Sequence, residues 1–231
     1  AITYINPQGE QKTFNETNAK YADSNFLKIF EFPVYKGSVE NSLSDNTSLV
    51  MTKATAEKYF GHDDPIGKVL ELTTGGTESR KSKFSYQVAA VLENIPVNST
   101  LQFDILLPFR NFEENYKQDL SSQWGWMFSF HNFILIKNDS DDLSAIERKI
   151  NRVVPDEFHR HWATFGWKAQ YELLPISKFH FDPDENKHLG NRMQVTNRSF
   201  VHIIGLIGLA ILVIAIVNYI NLTTAKALRR A

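Results

Sequence analysis

The stretch EKYFGHDDPIGKVLEL, residues 57–72, contains two glycines followed by a lysine, an arrangement close to that of a nucleotide-binding loop. Such a loop needs four residues between its glycines and a Ser or Thr after the lysine, because backbone amides surround the phosphates and the hydroxyl reaches Mg²⁺. Here five residues separate Gly61 from Gly67, and Val69 follows Lys68. The two aspartates between the glycines would also repel phosphate. The stretch therefore does not predict a nucleotide site.

The same stretch instead predicts a helix, a turn and a strand. Thr52 can cap a short helix through KATAEKYF, residues 53–60, which has an apolar side. Gly61 supplies the left-handed conformation that ends a helix, and Asp64-Pro65 begins a turn after it. A strand is predicted over residues 68–72. In this interpretation the two glycines serve the backbone.

The composition sets limits on the possible functions. The 231 residues are 42% hydrophobic, enough for a substantial core in one or two domains. Lys plus Arg number 25 against 26 Asp plus Glu, so we expect no nucleic-acid partner. The absence of cysteine excludes disulfides, thiolate metal sites and thiol nucleophiles. The chain begins with Ala1 and shows no signal peptide, and we expect it to be a fragment of a longer protein.

An apolar run, VHIIGLIGLAILVIAIVNYI, covers residues 201–220 and has no side chain that is charged at neutral pH. Twenty residues of helix span about 30 Å, the thickness of the hydrocarbon core of a bilayer. A buried helix of a soluble domain would normally show a polar stripe. We therefore predict a transmembrane helix over residues 200–222. The flanking Lys and Arg residues are too evenly distributed to orient it.

This helix also carries small and polar residues, which in lipid allow close helix approach and hydrogen bonds between helices. They are Gly205, Gly208, Asn218, Asn221, Thr223 and Thr224. A helix that only anchored a domain would have little use for them. We predict that Gly205, Gly208, Asn218 and Asn221 pack against neighbouring membrane helices.

Further strands are predicted where β-branched and aromatic residues concentrate. These segments are 85–93, 101–108, 131–137 and 169–176. Residues 141–154 repeat apolar side chains at helical spacing and predict a helix. Residues 73–83 indicate a hairpin loop or a mobile segment. Helices interspersed with strands favour a mixed α/β or α+β fold.

One pattern resembles the first half of a calcium-binding loop and is incomplete. Asp182, Asp184 and Asn186 have the required spacing. Lys187 stands where the loop needs glycine, and Met193 stands where it needs a bidentate glutamate. We therefore expect no calcium site.

Two other patterns have ordinary structural explanations. His159 and His161 flank a cationic arginine, and the sequence places no third zinc ligand. Trp124 and Trp126 belong to an alternating aromatic cluster that is typical of a strand face or a ligand wall, and core packing is the favoured explanation. We predict no catalytic residue, no cofactor site and no metal site.

Three stretches together resemble the FtsX/MacB-like permease subunits of ABC transporters, especially the long forms of Bacteroidetes. The first matches the family pattern at Ala56, Tyr59, Phe60, Gly61, Asp64, Pro65, Ile66, Gly67 and Lys68. The second matches at Ile95, Pro96, Asn98, Ser99, Phe103 and Asp104. The third matches at Asn218, Ile220, Asn221, Leu222, Thr224 and Ala225. The likeness covers nearly the whole chain.

The resemblance implies a mixed α+β periplasmic core domain that lies between the first and second membrane helices of such a permease. A porter-like part would comprise residues 1–108 and 169–199, and a small inserted α/β part would comprise residues 109–168. The membrane helix would follow at 200–222, and residues 223–231 would begin a cytoplasmic segment. Because the first membrane helix is missing, the resemblance also implies a fragment.

The function implied by the resemblance is non-catalytic coupling, or mechanotransmission, in the inner membrane, with residues 1 to about 199 in the periplasm. The implied partners are a separate cytoplasmic ABC ATPase, a second copy of the permease, the lipid bilayer, and a periplasmic adaptor or an outer-membrane channel. Two alternatives stay open from the residues alone. One is the ligand-sensing domain of a membrane receptor, with a pocket around Trp124 and Trp126. The other is a membrane-tethered hydrolase.

Overall fold

The computed structural model describes residues 1–74, 82–112, 130–137, 142–153, 156–166, 170–179 and 198–228. The chain divides into two compact units, Ala1–Leu173 and Leu174–Ala231.

The first unit contains short strands and short helices. Its strands are β1 (Ile2–Ile5), β2 (Gln11–Phe14), β3 (Ala19–Ala22), β4 (Val34–Gly37), β5 (Ser48–Thr52), β6 (Val69–Thr74), β7 (Ser82–Leu92) and β8 (Ile105–Pro108). Its α-helices are α1 (Phe26–Ile29), α2 (Lys53–Phe60), α3 (Leu143–Val153) and α4 (Asp156–Ala163). A 3₁₀ turn, Phe109–Asn111, follows β8. The architecture is α+β, as the sequence predicts.

Within the described ranges, eight strands form one mixed sheet in the order β2-β1-β6-β7-β5-β8-β3, and β4 also pairs with β7. The β5–β7 and β3–β8 pairs are parallel, and the other pairs are antiparallel. The antiparallel β6–β7 pair runs to Thr74 opposite Ser82. This supports the hairpin alternative for residues 73–83, with Thr73, Thr74, Ser82 and Lys83 in the strands. Residues 75–81 lie outside the described residues.

Strand β7 changes partner along one edge. It pairs first with β6, from Ser82 to Gln87, and then with β4, from Ala90 to Leu92. Along its other edge it pairs with β5, where Val88 and Ala90 face consecutive β5 residues. Ala89 is therefore the extra residue of a β-bulge, at the point where the partner changes.

Both faces of the central strands are buried. Leu49, Met51 and Ile105 belong to one hydrophobic cluster, whereas Val50 and Leu106 belong to another. Because successive side chains of a strand point to opposite faces, the two clusters cover opposite sides of the sheet. Helix α2 packs in the first cluster through Tyr59 and Phe60, as its apolar side predicts.

The predicted strands are confirmed in part. Residues 85–93 lie almost entirely in β7, and the strand predicted over 68–72 is β6. The strand predicted over 101–108 begins only at Ile105, because Gln102 Nε2 donates to the carbonyl of Pro96 at 2.6 Å and closes a loop before it. The helix predicted over 141–154 is α3.

Two predicted strands are wrong. Residues 131–137 do not form a strand, and the ring of Phe133 contacts that of Phe30. In the segment predicted over 169–176, residues 170–175 are not a strand, and Ile176 begins a helix. High strand propensity favours an extended backbone, but a strand also needs a ladder partner.

The second unit contains α5 (Ile176–Phe179) and α6 (Arg198–Leu228). Within α6, Ser199–Thr224 has a mean hydropathy of 3.0. The 18 most apolar consecutive residues of this segment are not buried in the protein. These 26 residues span about 39 Å as a helix. Among the described residues, this is the one helix long and apolar enough to cross a membrane.

Two glycines with positive φ, Gly61 and Gly37, end a helix and a strand respectively. Gly61, at the end of α2, has φ +64° and ψ −120°, so the predicted positive φ is confirmed but the conformation is not the left-handed helical one. Gly37, at the end of β4, has φ +81°, and a Cβ there would overlap the carbonyl oxygen of Ala89 and lie 2.8 Å from Ile66 Cδ1. A Cβ at Gly61 would meet nothing within 4 Å.

These two sites separate backbone strain from steric overlap. We expect Gly61→Ala to lower the free energy of unfolding by about 1–3 kcal/mol, because only the backbone conformation is disfavoured. Gly37→Ala should cost about 1–3 kcal/mol more, because its methyl group also displaces packed atoms of β7 and Ile66. Urea unfolding of the two variants measures the difference, and equal losses would contradict the close approach at Gly37.

Candidate functional site

The candidate site is the signature corner, which we define as residues 57–72 together with the segments that hold both ends of α2. Each end of α2 is bonded to parts of the chain that are distant in sequence. Two of the stretches that resemble the family, residues 56–72 and 92–108, are here called the first and second signature stretches. They meet at this helix.

The N-terminus of α2 is bonded to the second signature stretch. Asn94 Oδ1 accepts a hydrogen bond from the amide of Ala54 at 2.8 Å, and the amide of Thr52 donates to the carbonyl of Asp104 at 3.0 Å. Thr52 occupies the predicted cap position, but its hydroxyl lies 2.9 Å from that of Thr55 and bonds no helix amide. The capping oxygen therefore comes from Asn94, which the sequence analysis missed. The one local signal was an asparagine just before Ile95-Pro96.

The C-terminus of α2 is held by its own last turn and by Lys12. The amide of Gly61 donates to the carbonyl of Glu57 at 2.8 Å and closes the last turn. Lys12 Nζ donates to the carbonyl of Tyr59 at 3.1 Å. The C-terminal end of a helix carries a partial negative charge, which favours a lysine there.

Tyr59 fixes this end of the helix in the core. Its side chain is fully buried, its ring makes an edge contact with Phe14, and its hydroxyl donates to Glu16 Oε1 at 2.8 Å. Lys58 Nζ lies 2.8 Å from the same oxygen. Burial, followed by the hydrogen bond to Glu16, raises the pKa of Tyr59. The phenol therefore stays protonated and acts as a donor to the carboxylate.

Lys68, the lysine of the near-miss phosphate loop, is paired within the corner. Its Nζ lies 2.9 Å from Asp63 Oδ2 and 5.2 Å from the ring centroid of Phe60. Desolvation opposes its charge, but the interactions with Asp63 and Tyr4 together outweigh it and raise the pKa of Lys68. The hydrogen bond from Lys68 lowers the pKa of Asp63. Both groups therefore stay ionised as an internal ion pair.

The turn after α2 is closed by Asp64. Its Oδ1 accepts from the amide of Ile66 at 3.1 Å, and its Oδ2 lies 2.8 Å from Lys36 Nζ on β4. The bond to Lys36, followed by that to the Ile66 amide, lowers the pKa of Asp64. Pro65 is buried beside it.

Gly67 joins this turn to the bulge of β7. Its amide donates to the carbonyl of Val88 at 2.9 Å, and its carbonyl accepts from Gln87 Nε2 at 3.0 Å. Its φ is +80°, which confirms a turn glycine. Gly37, on the other side of the bulge, was missed by the sequence analysis because its importance depends on Ala89 and Ile66, which are distant in sequence.

The second signature stretch combines a buried end with an exposed tip. Phe103 is 2% exposed and packs in the second hydrophobic cluster. The amide of Ser99 donates to the carbonyl of Pro96 at 2.9 Å, which forms a tight turn. At its tip, Val97 is 87% exposed and Asn98 is also exposed. Asp104 donates its amide to the carbonyl of Asn18.

The four residues predicted to pack against other membrane helices all lie on α6. At about 100° per residue, Asn218 lies about 80° around the helix from Gly208, whereas Asn221 lies about 140° from it. The hydroxyl of Thr223 donates to the carbonyl of Tyr219 at 2.8 Å, and the neighbouring threonine bonds within the helix in the same way. The threonines are therefore satisfied internally, and packing through Gly205, Gly208, Asn218 and Asn221 stays a prediction.

Among the described residues, no three His, Asp or Glu side chains are grouped so that they could hold a metal ion. The calcium-like segment 182–193 and the aromatic pair Trp124 and Trp126 lie outside the described residues. What the signature corner does chemically is to hold charged and hydrogen-bonding groups in fixed internal pairs.

The sequence matches one family profile, the MacB-like periplasmic core domain, over residues 2–153. No curated protein matches it significantly.

Three solved structures are similar in fold. A domain of a proposed permease from Porphyromonas gingivalis is 19% identical, with a TM-score of 0.47, covering 87% of this chain and 73% of that one. The periplasmic region of MacB from Actinobacillus actinomycetemcomitans is 12% identical, with a TM-score of 0.35, and the match covers 51% of this chain and 48% of that one. The extracellular domain of the noncanonical ABC-type transporter YknZ from Gram-positive bacteria is 17% identical, with a TM-score of 0.33, and the match covers 51% of this chain and 55% of that one.

The cap at α2 can be tested with a matched pair of asparagines. Asn94→Ala should lower the free energy of unfolding by about 1 kcal/mol, because the amide of Ala54 loses its acceptor. Asn98→Ala, in the exposed tip of the same loop, should change it by less than about 0.5 kcal/mol. Thermal unfolding of both variants checks this. Equal effects would show that Asn94 does not cap the helix.

Proposed function

Because the chain belongs to the MacB-like periplasmic core domain family, we propose that it is the periplasmic domain and the following membrane helix of an ABC transporter permease. The observation that carries the proposal is the order of its parts. A domain matched over residues 2–153 is followed in the same chain by the 26-residue apolar segment Ser199–Thr224.

In this proposal the domain lies on the periplasmic side of the inner membrane, up to about residue 199. A separate cytoplasmic ATPase subunit hydrolyses ATP, and the domain moves with the membrane helices to export or extract a substrate. The permease acts as a homodimer, and a periplasmic adaptor or an outer-membrane channel is a further candidate partner. Residues 1–108 and 169–199 form the porter-like part, and 109–168 form the insertion.

The packing of the sheet supports this role, because a domain that transmits motion must resist deformation. The central strand β7 has partners on both edges, and the central strands are buried on both faces. The signature corner then fixes α2 to β4 and β7 through Asp64 and Gly67. Coupling of this kind needs rigid connections and no proton-transfer group.

The receptor and hydrolase alternatives gain no support from the described residues. A sensor would need a pocket around Trp124 and Trp126, and these tryptophans lie outside the described part of the chain. Family membership favours the permease.

The topology can be tested with single cysteines, since residues 1–231 contain none and any cysteine elsewhere in the full-length protein is first replaced by serine. In spheroplasts that contain the full-length protein, Val97→Cys should react with a membrane-impermeant maleimide, because Val97 is 87% exposed. A cysteine added after Ala231 should react only after lysis. Val91→Cys, at a fully buried position, is the control for folding and should stay unreactive. Reaction of both exposed cysteines from the same side would refute the membrane span.

Coupling can be tested without knowledge of the substrate. A nitroxide attached to the Val97→Cys variant of the permease, assembled with its ATPase in nanodiscs, should give a spin–spin distance between the two copies. We expect ATP to shift that distance and ADP to leave it unchanged, because ATP closes the ATPase dimer. Identical distances in both states would contradict mechanotransmission, and the absence of any measurable distance would contradict the homodimer.

A further inference from the structure

The polypeptide leaves the first compact unit at Leu173, and the chain from Leu174 onward, which includes α6, belongs to the second unit. The last segment of the first unit, residues 171–173, forms neither a helix nor a strand. Any force carried by the chain between α6 and the sheet domain must pass through this segment. The contacts that hold it therefore matter for coupling.

Two side chains of α3 hold the backbone of this segment. Asn151 Nδ2 donates to the carbonyl of Tyr171 at 2.8 Å, and Asn151 Oδ1 accepts from the amide of Tyr171 at 2.9 Å. Glu147 Oε1 accepts from the amide of Leu173 at 2.8 Å. The Asn151 amide thus replaces the neighbouring strand that Tyr171 would have in a sheet.

The spacing explains why a helix can do this. Residues four apart on a helix, such as Glu147 and Asn151, are on one face and about 6 Å apart along the axis. Residues two apart in an extended chain are about 6.6 Å apart and direct their amides to the same edge. The amides of Tyr171 and Leu173 share this spacing along the chain, and both bond to side chains of α3. The distance between Glu147 and Asn151 along the helix is therefore close to the distance between alternate amides of an extended chain.

The hydrogen bonds act together with partial burial. The side chain of Tyr171 is 40% exposed, and that of Leu173 is partly buried. Packing and hydrogen bonds therefore both hold the segment. Asn151 Nδ2 also donates to the carbonyl of Glu147 at 2.9 Å, which fixes the orientation of its amide. The carboxylate of Glu147 makes a charge-assisted bond, which is stronger than a neutral one.

We propose that Glu147 and Asn151 are the anchor through which movement of the membrane helix reaches the sheet domain. They are positioning residues, and the inference rests on the proposed function. Helix α3 belongs to the same compact unit as the sheet, whereas the chain beyond Leu173 does not. Loosening the anchor would let the chain between α6 and the domain extend without moving the domain.

The contacts themselves are tested by hydrogen exchange of the full-length protein in nanodiscs. Asn151→Ala should speed exchange of the Tyr171 amide, and Glu147→Ala that of the Leu173 amide, each by about fivefold. Glu147→Gln keeps an acceptor oxygen and should stay near the wild-type rate. Lys149→Ala, an exposed change on the same helix, is the control. Unchanged exchange in both alanine variants would overturn the anchor.

The coupling role is tested by the ATP-dependent distance between nitroxides in the Val97→Cys background. Adding the double change Glu147→Ala/Asn151→Ala should reduce the shift and leave ATP binding unchanged, whereas Glu147→Gln and Lys149→Ala should show the full shift. A full shift with the double change would overturn the inference and leave the proposed function standing. If the Val97→Cys protein alone shows no shift, the proposed function fails and the coupling role of the anchor fails with it.

Discussion

The structure of the first unit depends on the change of partner along one edge of β7. Strand β7 pairs with β6 and then with β4, and the bulge at Ala89 lies where the partner changes. The carbonyl of Ala89 lies against β4, where only a glycine at position 37 leaves room for it. Gly67 reaches the same bulge from the turn after α2, because its amide donates to the carbonyl of Val88. Gly37 and Gly67 therefore let three chain segments meet at one bulge.

This geometry also explains why the stretch resembles a phosphate loop and does not act as one. In a phosphate loop the glycines lead from a strand into a helix, so the anion meets the positive N-terminal end of that helix. Here the glycines follow α2, and the loop lies at the negative C-terminal end. Lys12 binds a carbonyl at that end, and Lys68 pairs with Asp63. The order of helix and strand along the chain decides the electrostatics.

Sequence patterns predicted the elements whose signal is local. The helices α3 and α6 and the strand β7 are long or strongly periodic, and they were predicted close to their observed bounds. Helix α2 is short, and the glycine that ends it identified it. Five strands, β1 to β5, were missed because they have only four or five residues each, and β4 is exposed at every position. The strand predicted over 169–176 failed for another reason, since Tyr171 and Leu173 bond to helix side chains. Gly37 and Asn94 were missed because their partners are distant in sequence.

The rigidity of the signature corner comes from burial more than from its ion pairs. The side chains of Asp63 and Asp64 are 75% and 60% exposed, and ion pairs in such positions contribute little and are screened by salt. Tyr59 is fully buried, Pro65 is buried, and Gly37 lies against backbone atoms. These contacts do not depend on ionic strength. A domain built this way keeps its shape while charges at its surface change, and shape is what a transmitter of motion must preserve.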